Sequence, residues 1–348
     1  MEIFASDVIK IMNKWAPPFL AEKWDHSGLQ VGNTEQPIKK ILISLDVNRG
    51  NVSYAVNHKI DMIISHHPFL FKPIQDIDLS TTKGRIIEQL LTHKIVSFAA
   101  HTNLDTADLG VNDALAEKLH LQNCLGLVPV HTEKMYKISA YAKIMTTKVL
   151  EKELKERLGN QVSQFYLLDD EDDFTENSRL EFTVTESKLD EAKSILQQES
   201  ENISYDIYIL KNLGHQSKMG RIGDLPKEMD GQEALLYIKS KLGISCLKYS
   251  GNVDKKIKKI AILGGAGIDF SDLAESAGAD LYLTGDVKYH EAEDASSNGF
   301  LIADGGHFYT ERVIIPYLAK RLRKEFEKRS WKIIVEEDNF SQDVFSYI

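Results

Sequence analysis

The chain is poor in the residues that would mark several large protein classes. Only two cysteines, Cys124 and Cys246, occur among 348 residues, and they lie far apart. Two separated cysteines provide neither a disulfide framework nor a cysteine zinc site. No apolar run is long enough to span a bilayer. The opening stretch MEIFASDVIKIMNKWAPPFL has no basic segment leading into an apolar core. It reads as an amphipathic helix stopped by Pro17 and Pro18, so the cytoplasm is the expected compartment and no membrane association is expected. Basic residues are in deficit: Lys and Arg number 42 against 52 Asp and Glu, a formal charge of −10. Such a balance argues against a broad nucleic-acid footprint. Missing too are a Gly-x-Ser-x-Gly nucleophile elbow, a G-x-G-x-x-G fingerprint and the phosphate-loop lysine.

What the chain does have is strand–helix alternation. KKILISLDV, DMIISHHP and KIVSFAAHTNLD read as strands, with helices near 51–59, 83–92 and in VNDALAEKLH between and after them. The same grammar returns in KKIAILGGAG, ADLYLTGDV and GFLIADGGH, followed by a long helix over about 308–328. Val- and Ile-rich strands alternating with helices predict parallel sheets covered on both faces. The segments also match residue by residue. KKI at 39–41 and KKI at 258–260 stand at one spacing from Ala55 and Asp61, and from Ala274 and Asp280. This suggests an internal duplication, although any two βαβ units share part of such spacing. Between the halves, strands near 137–144, 163–168, 180–186 and 205–210 and helices near 146–158 and 188–199 give the order β-α-β-β-α-β of a ferredoxin-like module. The expected fold is therefore α/β: two similar lobes with mainly parallel sheets, 1–130 and 212–348, and an inserted α+β module, 133–211. The acidic run Asp169 to Asp173 fits no EF-hand spacing and reads as a solvated hairpin tip.

Sheets of this class bind ligands beyond the carboxyl ends of their strands. Those ends carry Asp46, His66, His67, His101, Asn103 and Asp105 in the first half. In the second they carry the glycine turn 264–267, Asp286, Asp304 and His307. Adjacent His66 and His67 point apart in a strand, but where the strand ends each can serve a different ion. His307 and Glu311 are four residues apart on one helical face. Three histidines and two carboxylates, His66, His67, Asp105, His307 and Glu311, suit divalent zinc, iron, manganese or cobalt. Five ligands are many for one catalytic ion and natural for two ions roughly 3.5–4 Å apart, which would activate a shared water. Each residue also has an ordinary role open to it: hydrogen-bonded histidines, a turn cap at Asp105, first-turn helix charge at Glu311. His101 and His290 are further candidates, to orient a ligand or to act as acid or base. The glycine turn can cradle an anion or simply close a tight βα connection.

At these residues the sequence resembles the Nif-three-like family, often labelled GTP cyclohydrolase 1 type 2 homologs. The matching stretches are WDHSGLQVG (24–32), ISHHPFLF (64–71), AAHTNLD (99–105), GRIGDLP (220–226), ILGGAG (262–267), TGDVKYHEAEDA (284–295) and IADGGHFYTE (302–311). The resemblance implies a dinuclear metal centre on His66, His67, Asp105, His307 and Glu311, and a hexameric toroid. It implies a ferredoxin-like insert in longer bacterial members, and hydrolysis of a nucleotide-like or other small phosphorylated substrate. His26 stands where the family usually has Asn. The alternative expectation is a non-enzymatic hexameric metal-binding scaffold or regulator with a protein or nucleic-acid partner.

Overall fold

The computed structural model describes residues 2–159, 162–169, 177–199, 203–346 and 348. These fall into two compact units, one of Met1–Val130 with Lys218–Ile348 and one of His131–Ser217.

The larger unit contains two sheets. In the first, β2 (Lys40–Ser44), β3 (Met62–Ser65) and β4 (Val96–Ala99) run parallel, with β1 (Gly28–Val31) antiparallel on β4. A strand not expected from the sequence, β13 (Ile334–Glu337), closes the other edge by pairing parallel with β2. Strand alternation sends neighbouring side chains to opposite faces. Ile41, Ile43, Met62 and Ile64 pack with α1 (Ala5–Trp15) and α12 (Ile314–Lys328). Leu42 and Ile63 pack on the other side with α2 (Arg49–Asn57) and α3 (Thr82–Thr92). Local signals fix the helix starts. The Asn48 side chain accepts from the amides of Gly50 and Asn51 ahead of α2, and the Thr81 hydroxyl accepts from Gly84 N–H ahead of α3.

The second sheet repeats the plan. β10 (Lys256–Ala266), β11 (Leu281–Gly285) and β12 (Leu301–Asp304) run parallel, flanked by antiparallel β8 (Ser204–Asp230) and β9 (Lys248–Ser250). Ile260, Ile262, Leu281 and Leu283 pack with α5 (Val111–Lys118) and α8 (Gly231–Leu242). Ala261, Tyr282 and Ile302 pack beside α9 (Ser271–Ser276) on the opposite face. The internal match extends to backbone bonds. Asp61 Oδ2 accepts from the Lys39 and Lys40 amides at 2.8 and 2.9 Å, and Asp280 Oδ2 accepts from those of Lys258 and Lys259 at 2.9 and 2.8 Å. The expected single helix over 308–328 is instead two, α11 (His307–Glu311) and α12, with Arg312 and Val313 between them.

The smaller unit has the strand order β6 (Val162–Asp169), β7 (Asn177–Thr185), β5 (Gln122–Lys143), β8, of which residues 131–143 of β5 and 204–217 of β8 belong to it. Helices α6 (Ile144–Leu158) and α7 (Leu189–Glu199) cover it through Leu150, Leu154, Ile195 and Leu196 against Ile138, Leu180 and Phe182. Of the acidic run, Asp170 to Asp173 lie outside the described residues.

Candidate metal centre

Five of the six strands in the two parallel triplets lead to polar residues beyond their carboxyl ends, while β10 runs into the glycine turn. β2 leads to Asp46, β3 to His66 and His67, and β4 to His101 and then Asp105 in α4 (Thr102–Thr106). β11 leads to Asp286, and β12 to His307 and Glu311 in α11. The spacing that relates Asp61 to Asp280 also relates His67 to Asp286, so equivalent strand ends carry different chemistry.

The five residues expected as ligands converge. Atoms of His66, Asp105 and Glu311 lie within 4.8 Å of one another, as do those of His67, His307 and Glu311. Glu311 belongs to both groups through different oxygens. Oε1 lies 3.6 Å from His66 Nε2, while Oε2 lies 2.8 Å from His67 Nε2 and 3.0 Å from His307 Nε2. His101 joins a third group with His66 and His67.

The histidines are held in one consistent way. His66 Nδ1 donates to the Ala100 carbonyl at 2.9 Å. Nδ1 of His67, His101 and His307 donates to Asp46, Asp25 and Asp286, each at 2.8 Å. A proton fixed on Nδ1 turns Nε2 inward as a donor atom for a cation, the arrangement typical of metal-ligating histidine. Asp286 reaches His307 from a backbone φ of 56°, a left-handed conformation that Asp tolerates better than most residues.

Two atoms test whether the set fits a metal. His66 Nε2 and Asp105 Oδ1 are buried and have no hydrogen-bond partner, although they face each other at 3.6 Å. That separation is too long for a hydrogen bond. It suits two ligands of one ion, since atoms held about 2 Å from a common centre sit about 3–4 Å apart. Leaving such atoms bare would cost about 1–3 kcal/mol each.

Electrostatics favour the same occupant. Burial works to keep His67 neutral, but Asp46 and Glu311 outweigh it and raise its pKa to about 10. Burial likewise opposes charge on His307, yet Glu311 and Asp286 raise it to about 9. Burial raises Asp105 to about 6 against the pull of His66. Burial also opposes the Glu311 charge, but the surrounding imidazoles hold its carboxyl well below the usual range. The carboxylates therefore call for positive charge, which protons supply when no metal does.

Gly265 makes room for the Glu311 carboxylate. A Cβ at this residue, whose φ is +68°, would collide with Glu311 Oε1. The glycine turn is thus a close approach rather than an anion cradle: the Gly264 and Gly265 amides already donate to Asn112 Oδ1 and Thr310 Oγ1.

Other candidates lie elsewhere. His290 in α10 (Tyr289–Ser296) is exposed, 3.4 Å from Glu293, and outside these clusters. Asn103 donates to the Ala16 carbonyl and accepts from Ser27. Asp304 accepts from the Val287 and Gly306 amides, fastening the loops that carry Asp286 and His307. Sequence reasoning does not single out Asp25. Burial disfavours its charge, but hydrogen bonds from His101, Ser27 and Thr102 win and hold it far below the ordinary carboxylate range. Its signal is the WDHSGLQVG motif. Neighbouring His26 bonds through its backbone: the amide donates to Asp25 and the carbonyl accepts from Gln30.

The family model described as Duf34/NIF3 (NGG1p interacting factor 3) matches residues 3–343. The chain belongs to this family. Relatives labelled GTP cyclohydrolase 1 type 2 homolog include one from Bacillus subtilis, 32% identical over 97% of this chain and 94% of that one. Another, from Halalkalibacterium halodurans, is 30% identical over 98% of each. The crystal structure of a Bacillus cereus protein related to NIF3 superposes with a TM-score of 0.90 at 30% identity, covering 100% of both chains. A Staphylococcus aureus protein superposes at 0.87 with 28% identity, over 100% of this chain and 99% of that one. The mixed α/β fold with its two sheets is thus the NIF3 fold, and it carries His, Asp and Glu clusters able to hold a metal ion.

Proposed function

We propose that the protein is a metal-dependent hydrolase of cyclohydrolase type, acting on a nucleotide-like or small phosphorylated substrate at a two-ion centre. His66, Asp105 and Glu311 would hold one ion and His67, His307 and Glu311 the other. When bound, divalent ions supply Lewis acidity and an activated water. The observation that carries the reading is the pair of orphaned, buried atoms, His66 Nε2 and Asp105 Oδ1, beside a carboxylate whose oxygens serve separate histidine sets.

The chain's own residues do the rest. Asp46 and Asp286 hold the Nδ1 protons of His67 and His307, which keeps both rings aimed inward. A cavity of about 450 Å³ opens beside His67 and His307, and Lys248 and Phe308 contribute to its wall. The Lys248 ammonium, 2.6 Å from buried Asp304, stands at this wall as a hydrogen-bond donor within reach of an anionic substituent. A substrate with an anionic group suits this wall, and a nucleotide accords with the label carried by the relatives. The donor set admits zinc, iron, manganese or cobalt. The assembly belonging to this reading is a homohexamer, and the compartment the cytoplasm.

The test is turnover of metal-loaded protein on a panel of purine nucleotides, with His67→Ala as control. Turnover by wild type and none by the variant is expected. Equal residual activity in both ends the hydrolase reading and leaves a metal-bearing scaffold that binds a partner.

A further inference from the structure

Beside the histidine cluster, two large aromatic side chains are left in solvent. Trp24 is 56% exposed and Phe71 is 42% exposed. Their rings stand 5.8 Å apart at 61°, and both lie edge to face with His101, at 5.9 and 6.3 Å. His101 is in turn grouped with His66 and His67. The rings therefore make a stepped corner, with solvent on one side and the candidate metal ligands on the other.

The corner is built rather than incidental. Trp24 precedes Asp25, whose carboxylate accepts from His101, Ser27 and Thr102. Gln30 ties the two aromatic segments together. Its amide nitrogen donates to the His26 and Gly28 carbonyls at 2.6 and 3.2 Å, and its oxygen accepts from the Leu70 amide at 3.0 Å. Exposed aromatic surface held in place has apolar area to bury and little side-chain entropy left to lose on binding.

We propose that Trp24 and Phe71 seat a planar heteroaromatic ring, that of a purine nucleotide, against His101. This rests on the function proposed above and makes Trp24 a specificity-determining residue for it. A ring suits the corner better than a second copy of this chain. The three rings meet edge to face and offer no flat apolar patch, and the corner ends at the histidine cluster. Trp24, the larger and more exposed of the two rings, gives the face for stacking.

The test uses the metal-loaded full chain with guanosine monophosphate and, as a ringless control, ribose 5-phosphate. Dissociation constants are measured for wild type, Trp24→Ala and Trp24→Phe, with metal content and oligomeric state recorded for each. Loss of one stacking face is expected to weaken the nucleotide by roughly five- to a hundredfold in Trp24→Ala. Trp24→Phe should stay within a few-fold of wild type, and ribose 5-phosphate should be unaffected. Unchanged nucleotide affinity in Trp24→Ala overturns the proposal, as does equal weakening of both probes or no nucleotide binding by wild type. So does a change of oligomeric state in Trp24→Ala with nucleotide affinity intact, which would make the corner an interface. Nucleotide binding that depends on Trp24 without any turnover sinks only the hydrolase reading. Turnover with the same KM in wild type and Trp24→Ala sinks only the stacking.

Discussion

Glu311 is the residue on which the centre turns, because its two oxygens face two different sets of histidines. On the two-ion reading proposed above, Glu311→Ala should therefore lower metal content from two equivalents per chain to near zero. Asp105→Ala, which touches only the His66 side, should remove one. Elemental analysis per chain separates the outcomes, and loss of a single ion from Glu311→Ala would refute the bridging role. Asp46→Asn keeps the shape but weakens the hold on the His67 Nδ1 proton. Metal affinity should fall about 10- to 100-fold, read by competition with a chelating indicator. The pH dependence follows from the protons. Without metal, His67 and His307 titrate near 10 and 9, both above the ordinary 6.5. Their contribution to stability is thus complete below about pH 6.5 and lost as pH rises through 9 to 10. Metal must displace these protons, so apparent affinity should rise with pH up to that range. Calorimetry in buffers of different ionisation enthalpy should show proton release on binding at neutral pH; no release would mean the histidines are already neutral.

At the scale of elements, the site depends on one place where a side chain is absent. Gly265→Ala removes no candidate ligand atom, yet its methyl would occupy the space of Glu311 Oε1. Metal content should fall much as in Glu311→Ala, while Gly264→Ala, with its nearest contact at 3.2 Å, should retain more. Strand positions are legible in the sequence because runs such as MII in MIIS and ILI in KILIS are apolar at consecutive places, which fits burial on both faces. Their ends are legible for the same reason: the first polar residues after such a run, His66 and His67 or Asp286, leave the core where a ligand can reach them. Asp25 is not legible that way. It follows no strand, and its importance lies in holding His101 from a segment far away in the chain. Pairing partners are equally hidden. IVEE at 334–337 looks like an ordinary charged end segment, and only tertiary contact decides that it joins β2. The break between α11 and α12 is invisible too, since the helical pattern runs on past Glu311.

For the whole molecule, all five candidate ligands belong to the larger unit and none to His131–Ser217. Replacing 131–217 by a short turn should leave metal stoichiometry unchanged, with elemental analysis as readout. Loss of metal from a folded variant would show that the smaller unit supports the centre. Bound metal should in turn stabilise the whole larger unit. At free metal a hundred times its Kd the gain is about 2.7 kcal/mol, visible as a rise in Tm that a chelator reverses. The pairing of β13 with β2 bears on how such a molecule comes into being. A ribosome delivers β2 long before its neighbour on that edge, so the nascent sheet waits with a bare, apolar border while all the intervening residues are made. Shielding that border until the final strand arrives is a task for chaperones or for the slow pace of synthesis itself.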